Sequence, residues 1–141
     1  MTLSLPFMVH FGARNMGRPI RILLADDHPA LRKSLARVLE REESLEVVGE
    51  ASDGRMAVDL ARELRPDVIV MDVQMPGLDG IEATRRIALA QPGTRVIGYS
   101  LNPSGSIAEA MRRAGAASCL GKNEPVAALI RVIRAFRPRE V

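Results

Sequence analysis

The chain is 141 residues long, enough for one domain with a core of its own. Apolar residues make up 47% and charged residues 26%, which excludes a disordered chain, and no apolar run reaches the roughly 18–20 residues of a bilayer span. A net charge of +3 does not argue for nucleic acid, and one cysteine with two distant histidines, His10 and His28, leaves no material for a disulfide scaffold or a Cys/His zinc site.

Residues 1–18 stand apart as an N-terminal extension. Leu3, Leu5, Phe7, Val9 and Phe11 alternate with Ser4, Pro6, Met8 and His10, the period of an edge strand; the alternative is a disordered leader. No basic stretch precedes the apolar residues and no small-residue cleavage site follows, so a secretory signal is not expected and a cytoplasmic location is.

Residues 19–137 read as one domain and 138–141 as a tail. Ile20–Ala25 is a short apolar run ending in Asp26 and Asp27, and Pro29 opens a helix whose apolar face is Leu31, Leu35, Val38 and Leu39. Leu45–Ala51 reads as a strand, with Ser52 or Asp53 capping a helix buried through Met56, Leu60, Ala61 and Leu64. Asp67–Asp72 is a third strand, followed by a breaker loop from Gln74 to Gly80 and a helix from Ile81 to Ala90. Thr94–Ser100 is the fourth strand and Ile107, Ala110, Met111 and Ala114 the next helix face. Ala116–Leu120 is the last strand, and Val126, Leu129, Ile130 and Ile133 face inward from the final helix.

Five short apolar strands alternating with amphipathic helices predict an α/β fold, a doubly wound parallel sheet of flavodoxin-like (βα)5 type. Its strand order is 2-1-3-4-5, with the ligand crevice at the carboxyl ends of strands 1 and 3. That topology brings Asp26, Asp27 and Asp72 to one rim. Three carboxylates so close raise one another's pKa unless positive charge lies among them. Mg²⁺ and the Lys122 ammonium, which follows strand 5, together would balance them. Asp72, in the middle of the rim, suits a nucleophile toward phosphorus, and the Ser100 hydroxyl at the end of strand 4 suits a donor to a phosphoryl oxygen.

With Ala25-Asp26-Asp27-His28-Pro29, the block from Asp72 to Gly80, and Ser100 and Lys122 at their strand ends, the chain from about Ile20 to Phe136 resembles the receiver domain of bacterial response regulators in two-component signalling. It looks most like receivers of the NarL/FixJ subfamily. The resemblance implies that Asp72 is the phosphoacceptor, charged by a sensor histidine kinase or phosphotransfer protein. It implies that Asp27 ligates Mg²⁺ directly, Asp26 largely through water, and that the Gln74 backbone carbonyl and Asp72 complete the metal's protein ligands. Lys122 would contact a phosphoryl oxygen. Ser100 would swing toward it and shift a face made by the fourth helix, fifth strand and fifth helix, open to a homodimer or an output partner.

Three departures accompany the resemblance. Cys119 stands where the family has an aromatic switch residue, Leu101 follows Ser100 where a small residue is common, and Gly121 precedes Lys122 with no proline after it. Strand alternation points Tyr99 away from Ser100. Gln74 and Asn102, each two residues past a site residue, are placed to shield or to orient an attacking water. Arg112, Arg113, Arg131, Arg134 and Arg137 form either a partner face or a solvated surface. With four residues after Arg137, no recognition helix, direct DNA binding or membrane contact is expected of this chain. No enzyme activity is expected beyond self-phosphorylation from small donors and autodephosphorylation. Two rivals remain: a receiver-fold interaction module seldom or never phosphorylated, and an Asp-nucleophile phosphatase, which would need an acid where Gln74 stands.

Overall fold

A computed structural model describes residues 17–137. The expected leader strand, Leu3 to Phe11, and the tail at 138–141 lie outside the described residues. Five strands alternate with five helices: β1 (Ile20–Ala25), α1 (Pro29–Glu40), β2 (Leu45–Ala51), α2 (Gly54–Leu64), β3 (Val68–Asp72), α3 (Gly80–Ala90), β4 (Arg95–Ser100), α4 (Gly105–Ala114), β5 (Ser118–Gly121) and α5 (Val126–Ala135). The strands pair in parallel in the order β2-β1-β3-β4-β5, as expected.

Helices cover both faces, which is why the central β3 is buried at every position and reads as a continuous apolar run. Alternation sorts the core into two layers. Leu23, Ala25, Ile69, Met71 and Val96 pack with Ala57 and Ala61 of α2, Ile87 of α3 and Met111 of α4. Ile20, Ile22, Leu24, Val68, Val70, Ile97 and Tyr99 pack with Leu39 of α1 and with Leu129, Ile130 and Ile133 of α5.

Local chemistry sets the boundaries. Pro29 occupies the first turn of α1, where a missing N–H costs nothing. Asp53 and Asp79 cap α2 and α3, accepting from Met56 N at 2.8 Å and Glu82 N at 2.9 Å. β3 starts at Val68, not Asp67, because the Asp67 carboxylate accepts Arg21 N at 2.9 Å and binds both terminal nitrogens of Arg18. β4 likewise starts one residue later than expected, at Arg95, with the Thr94 hydroxyl donating to Pro66 O at 3.1 Å. β5 starts two residues later than expected, since Ala116 N donates to Met111 O and still belongs to the end of α4.

Two residues expected inside are exposed: Leu31 at 41% and Met56 at 39%. On α2 the buried positions are Gly54, Ala57 and Ala61. Small residues suit that face, because a Cβ at Gly54 would stand 1.9 Å from Leu78 O. Among the described residues no helix is long and apolar enough to cross a membrane.

Candidate functional site

β1 and β3 are neighbours with Ala25 opposite Met71, so Asp26, just past β1, and Asp72, the last residue of β3, share one rim. Asp26, Asp27, His28 and Asp72 each present a ligand atom, and these atoms all lie within 4.8 Å of one another. Lys122 enters from the end of β5 with its side chain only 4% exposed. Its ammonium donates to Asp26 Oδ2 at 2.7 Å and lies 3.4 Å from Asp72 Oδ1. The Lys122 backbone N–H donates to Ser100 O at 2.7 Å, which fastens the β5 turn to β4. Ser100 is buried, and its Oγ accepts Asn102 N at 3.1 Å, a bond that leaves the hydroxyl hydrogen unused. Gln74 N donates to Asp72 Oδ1 at 3.3 Å, which turns the Gln74 backbone toward the carboxylate. The structure thus brings Asp26, Asp27, Asp72 and Lys122 together, with Gln74 adjoining and Ser100 at the neighbouring strand end.

The carboxylates are not equivalent. Burial pushes Asp26 up, but hydrogen bonds from Lys122 and from the backbone and ring of His28 outweigh it, holding this carboxyl below its ordinary range. For Asp72, burial wins over the Lys122 charge and the Asp26 charge adds to it, so this carboxyl titrates above its ordinary range. Ionised Asp72 therefore costs free energy here, and a cation within reach would recover it. Among the described residues Asp72 Oδ2 has no hydrogen-bond partner, and Asp27 Oδ1 has no hydrogen bond, only a 3.2 Å contact with His28 Nδ1. Orphaned buried acceptors are rare and costly. An oxygen-rich donor set with two oxygens free of hydrogen bonds fits a hard divalent cation.

The loop from Val73 to Gly80 is held tightly against this rim. Gly80 N donates to Val73 O at 2.9 Å, and a Cβ at Gly80 would stand 2.1 Å from Asp72 O, so only glycine starts α3 here. An open cleft of about 570 Å³, with Asp27, Gln74 and Ile107 among its walls, gives access from the α4 side. Leu101 is 65% exposed beside the site. Tyr99 is buried on the α1–α5 side, whereas Cys119 packs on the α4 side, where a Cβ at Gly98 would meet Cys119 Sγ and Met111 Cε at 3.0 Å. Tyr99 thus does not take the place of a ring at 119. Burial raises the Cys119 thiol above its ordinary pKa.

Two residues without a role in the sequence reading belong to the site. His28 Nδ1 lies 3.0 Å from Asp26 Oδ1 and 3.2 Å from Asp27 Oδ1. Arg32, in the first turn of α1, donates to the Asp26 carbonyl at 2.6 Å and to Glu50 Oε1 at 2.8 Å. The adjacent Asp-Asp-His triplet signals the first; an arginine one turn into the helix is the weak signal for the second. Of the arginines singled out in the sequence, Arg112 and Arg113 pair with Glu109 on their own helix, and Arg134 pairs with Glu42.

Comparison with known proteins bears on the family and the fold. A family model described as the response regulator receiver domain matches residues 22–134. The response regulator GacA of Pseudomonas aeruginosa is 38% identical over 82% of this chain and 54% of its own. The chain spans about half the length of the curated regulators it matches first. Among solved structures, a LuxR-family two-component response regulator from Aurantimonas superposes with a TM-score of 0.80 at 37% identity, over 84% of each chain. The response regulator domain of Thermotoga maritima CheB gives 0.80 at 36% identity, over 84% of this chain and 96% of that one.

Proposed function

The chain belongs to the response regulator receiver domain family, and from that premise we propose that Asp72 takes a phosphoryl group from a sensor histidine kinase or a phosphotransfer protein. The observation that carries this reading is the state of Asp72: buried, with Oδ2 unpartnered and Oδ1 beside the Lys122 ammonium. An Asp72 oxygen forms the bond to phosphorus as the donor's phosphorus–nitrogen bond breaks, the electron pair leaving with the donor imidazole. Asp27 and Asp72 would hold Mg²⁺, with Asp26 behind them and the Gln74 carbonyl completing the set; the ion supplies positive charge to the phosphoryl oxygens. Lys122 exchanges part of its hold on Asp26 for a phosphoryl oxygen.

Ser100 donates its free hydroxyl hydrogen to the same group and draws the Asn102 segment with it. That motion biases the face of α4, β5 and α5 between two states, which a second copy or an output partner reads. The residues turn over no substrate other than their own phosphoryl group. We place this work in the cytoplasm and link it to transcription regulation, as the LuxR-family relative supports.

The test is mass spectrometry of the intact chain with Mg²⁺ and acetyl phosphate. One phosphoryl group is expected on the wild type and none on Asp72→Asn. A wild type that takes up neither Mg²⁺ nor phosphoryl would leave the chain as an interaction module of the same fold.

A further inference from the structure

Among the described strand pairs only β1–β2 slips its register: Ile22 faces Val47 but Leu23 faces Gly49, so Val48 is an inserted residue. Side chains alternate along a strand, and Val47 packs on the α1–α5 side of the sheet. Without the insertion Gly49 would share that side and Glu50 would point to the other. The insertion reverses both. A Cβ at Gly49 would stand 2.7 Å from Leu64 of α2, and Glu50 comes round to α1, where Arg32 Nε donates to its Oε1 at 2.8 Å.

Arg32, with a side chain only 11% exposed, turns its other arm to the acidic rim: Nη1 donates to Asp26 O at 2.6 Å. That oxygen belongs to the planar peptide group that joins Asp26 to Asp27. The preceding peptide group is held as well, since Asp26 N donates to Ala51 O at 3.0 Å. The end of β2 thus grips both peptide groups beside Asp26, one directly and one through Arg32, and so sets the direction in which Asp27 leaves the backbone. A guanidinium suits this place because its rigid planar fork serves two acceptors in fixed directions, which an ammonium on a flexible stem does not.

We propose that Arg32, braced by Glu50, is a positioning residue for phosphoryl transfer: it holds the Asp26–Asp27 peptide group so that the Asp27 carboxylate meets the cation in one orientation. The proposal rests on the phosphoacceptor reading for the reaction that it serves. The edge strand's inserted residue is then a part of the signalling machinery, since it aims the brace.

Two variants of the full chain test this. Arg32→Met keeps the length of the stem and removes both bonds, leaving Glu50 with the exposed Lys33. Arg32→Met combined with Glu50→Met also removes the carboxylate, so no half of the ion pair is left behind. Phosphoryl uptake from acetyl phosphate is followed against Mg²⁺ concentration, Mg²⁺ affinity by calorimetry, stability by urea, and backbone amide spectra in chelator. Both variants are expected to need about tenfold more Mg²⁺ for half-maximal uptake and to bind it about tenfold more weakly, with the maximal rate within about twofold of wild type. The Asp27 amide nitrogen resonance, which senses a hydrogen bond at the preceding carbonyl, is expected to move in both. The double variant is expected to be the more stable of the two without regaining Mg²⁺ affinity. Affinity that returns along with stability would make Arg32 a structural ion-pair partner only and overturn the proposal, and so would an unmoved Asp27 resonance. If the wild type is phosphorylated and Arg32→Met matches it in Mg²⁺ requirement, this inference alone falls. If the wild type takes up no phosphoryl group, the phosphoacceptor reading falls, and the Mg²⁺ affinities and the Asp27 resonance still judge the brace.

Discussion

Lys122 is buried with its ammonium 2.7 Å from Asp26 and 3.4 Å from Asp72, so truncating it leaves two carboxylates facing each other without a counter-charge. Lys122→Ala is expected to lower stability by about 3 kcal/mol at neutral pH in chelator, measured by urea denaturation. Added Mg²⁺ is expected to recover more stability in the variant than in the wild type, because the ion then supplies all the missing charge. The same variant is expected to accept a phosphoryl group still but to lose the conformational response, read from amide chemical shifts of α4 and β5. Asp26, Asp27, Asp72 and Lys122 were legible in the sequence because each sits at or just past a strand end, and fold class decides which strand ends meet. His28 was not: a histidine next to two aspartates is ordinary loop polarity until the backbone turn returns its ring toward Asp26. Leu31 and Met56 misled for the opposite reason, since helical spacing names a face but not how far around it the neighbouring elements reach.

The connection from β3 to α3 depends on backbone touching backbone, so its sensitivity to a methyl group is a property of the element. Gly80→Ala forces a Cβ to within 2.1 Å of Asp72 O. It is expected to cost about 3 kcal/mol, seen as a fall in thermal midpoint, whereas Gly93→Ala, with nothing within 4 Å of the added carbon, stays within about 0.5 kcal/mol of the wild type. α1 is joined to β2 by charge as well as packing. Burial pushes Glu50 up, but bonds from Arg32 and Lys33 outweigh it, so its carboxyl titrates below the ordinary value of 4.5. A depressed folded pKa means the stabilisation is full above the unfolded value and is lost as pH falls through the folded one. Glu50→Gln is therefore expected to cost about 0.5–1 kcal/mol at neutral pH, with the gap from wild type narrowing as the pH drops below 4.5. Strands β1 and β2 matched their apolar runs end to end. β3 and β5 did not, because Asp67 and Ala116 satisfy backbone groups outside the ladder, which composition does not reveal.

For the whole molecule, ligand binding and folding are one equilibrium. Mg²⁺ at about a hundred times its dissociation constant is expected to add about 2.7 kcal/mol to the stability, read by calorimetry as a rise in thermal midpoint, and Asp27→Asn is expected to abolish most of that rise. The architecture was open to sequence reasoning because a parallel sheet under helices needs long apolar runs and regular crossovers, both one-dimensional patterns. Lys122 reaches Asp26 across 96 positions of chain. Ribosomal synthesis runs from the first strand toward the last, so every growing chain that stops short of position 122 carries its acids with no lysine among them. The acidic pocket thus gains its lysine counter-charge only when β5 has emerged, so its electrostatic balance is among the last features of this unit to form.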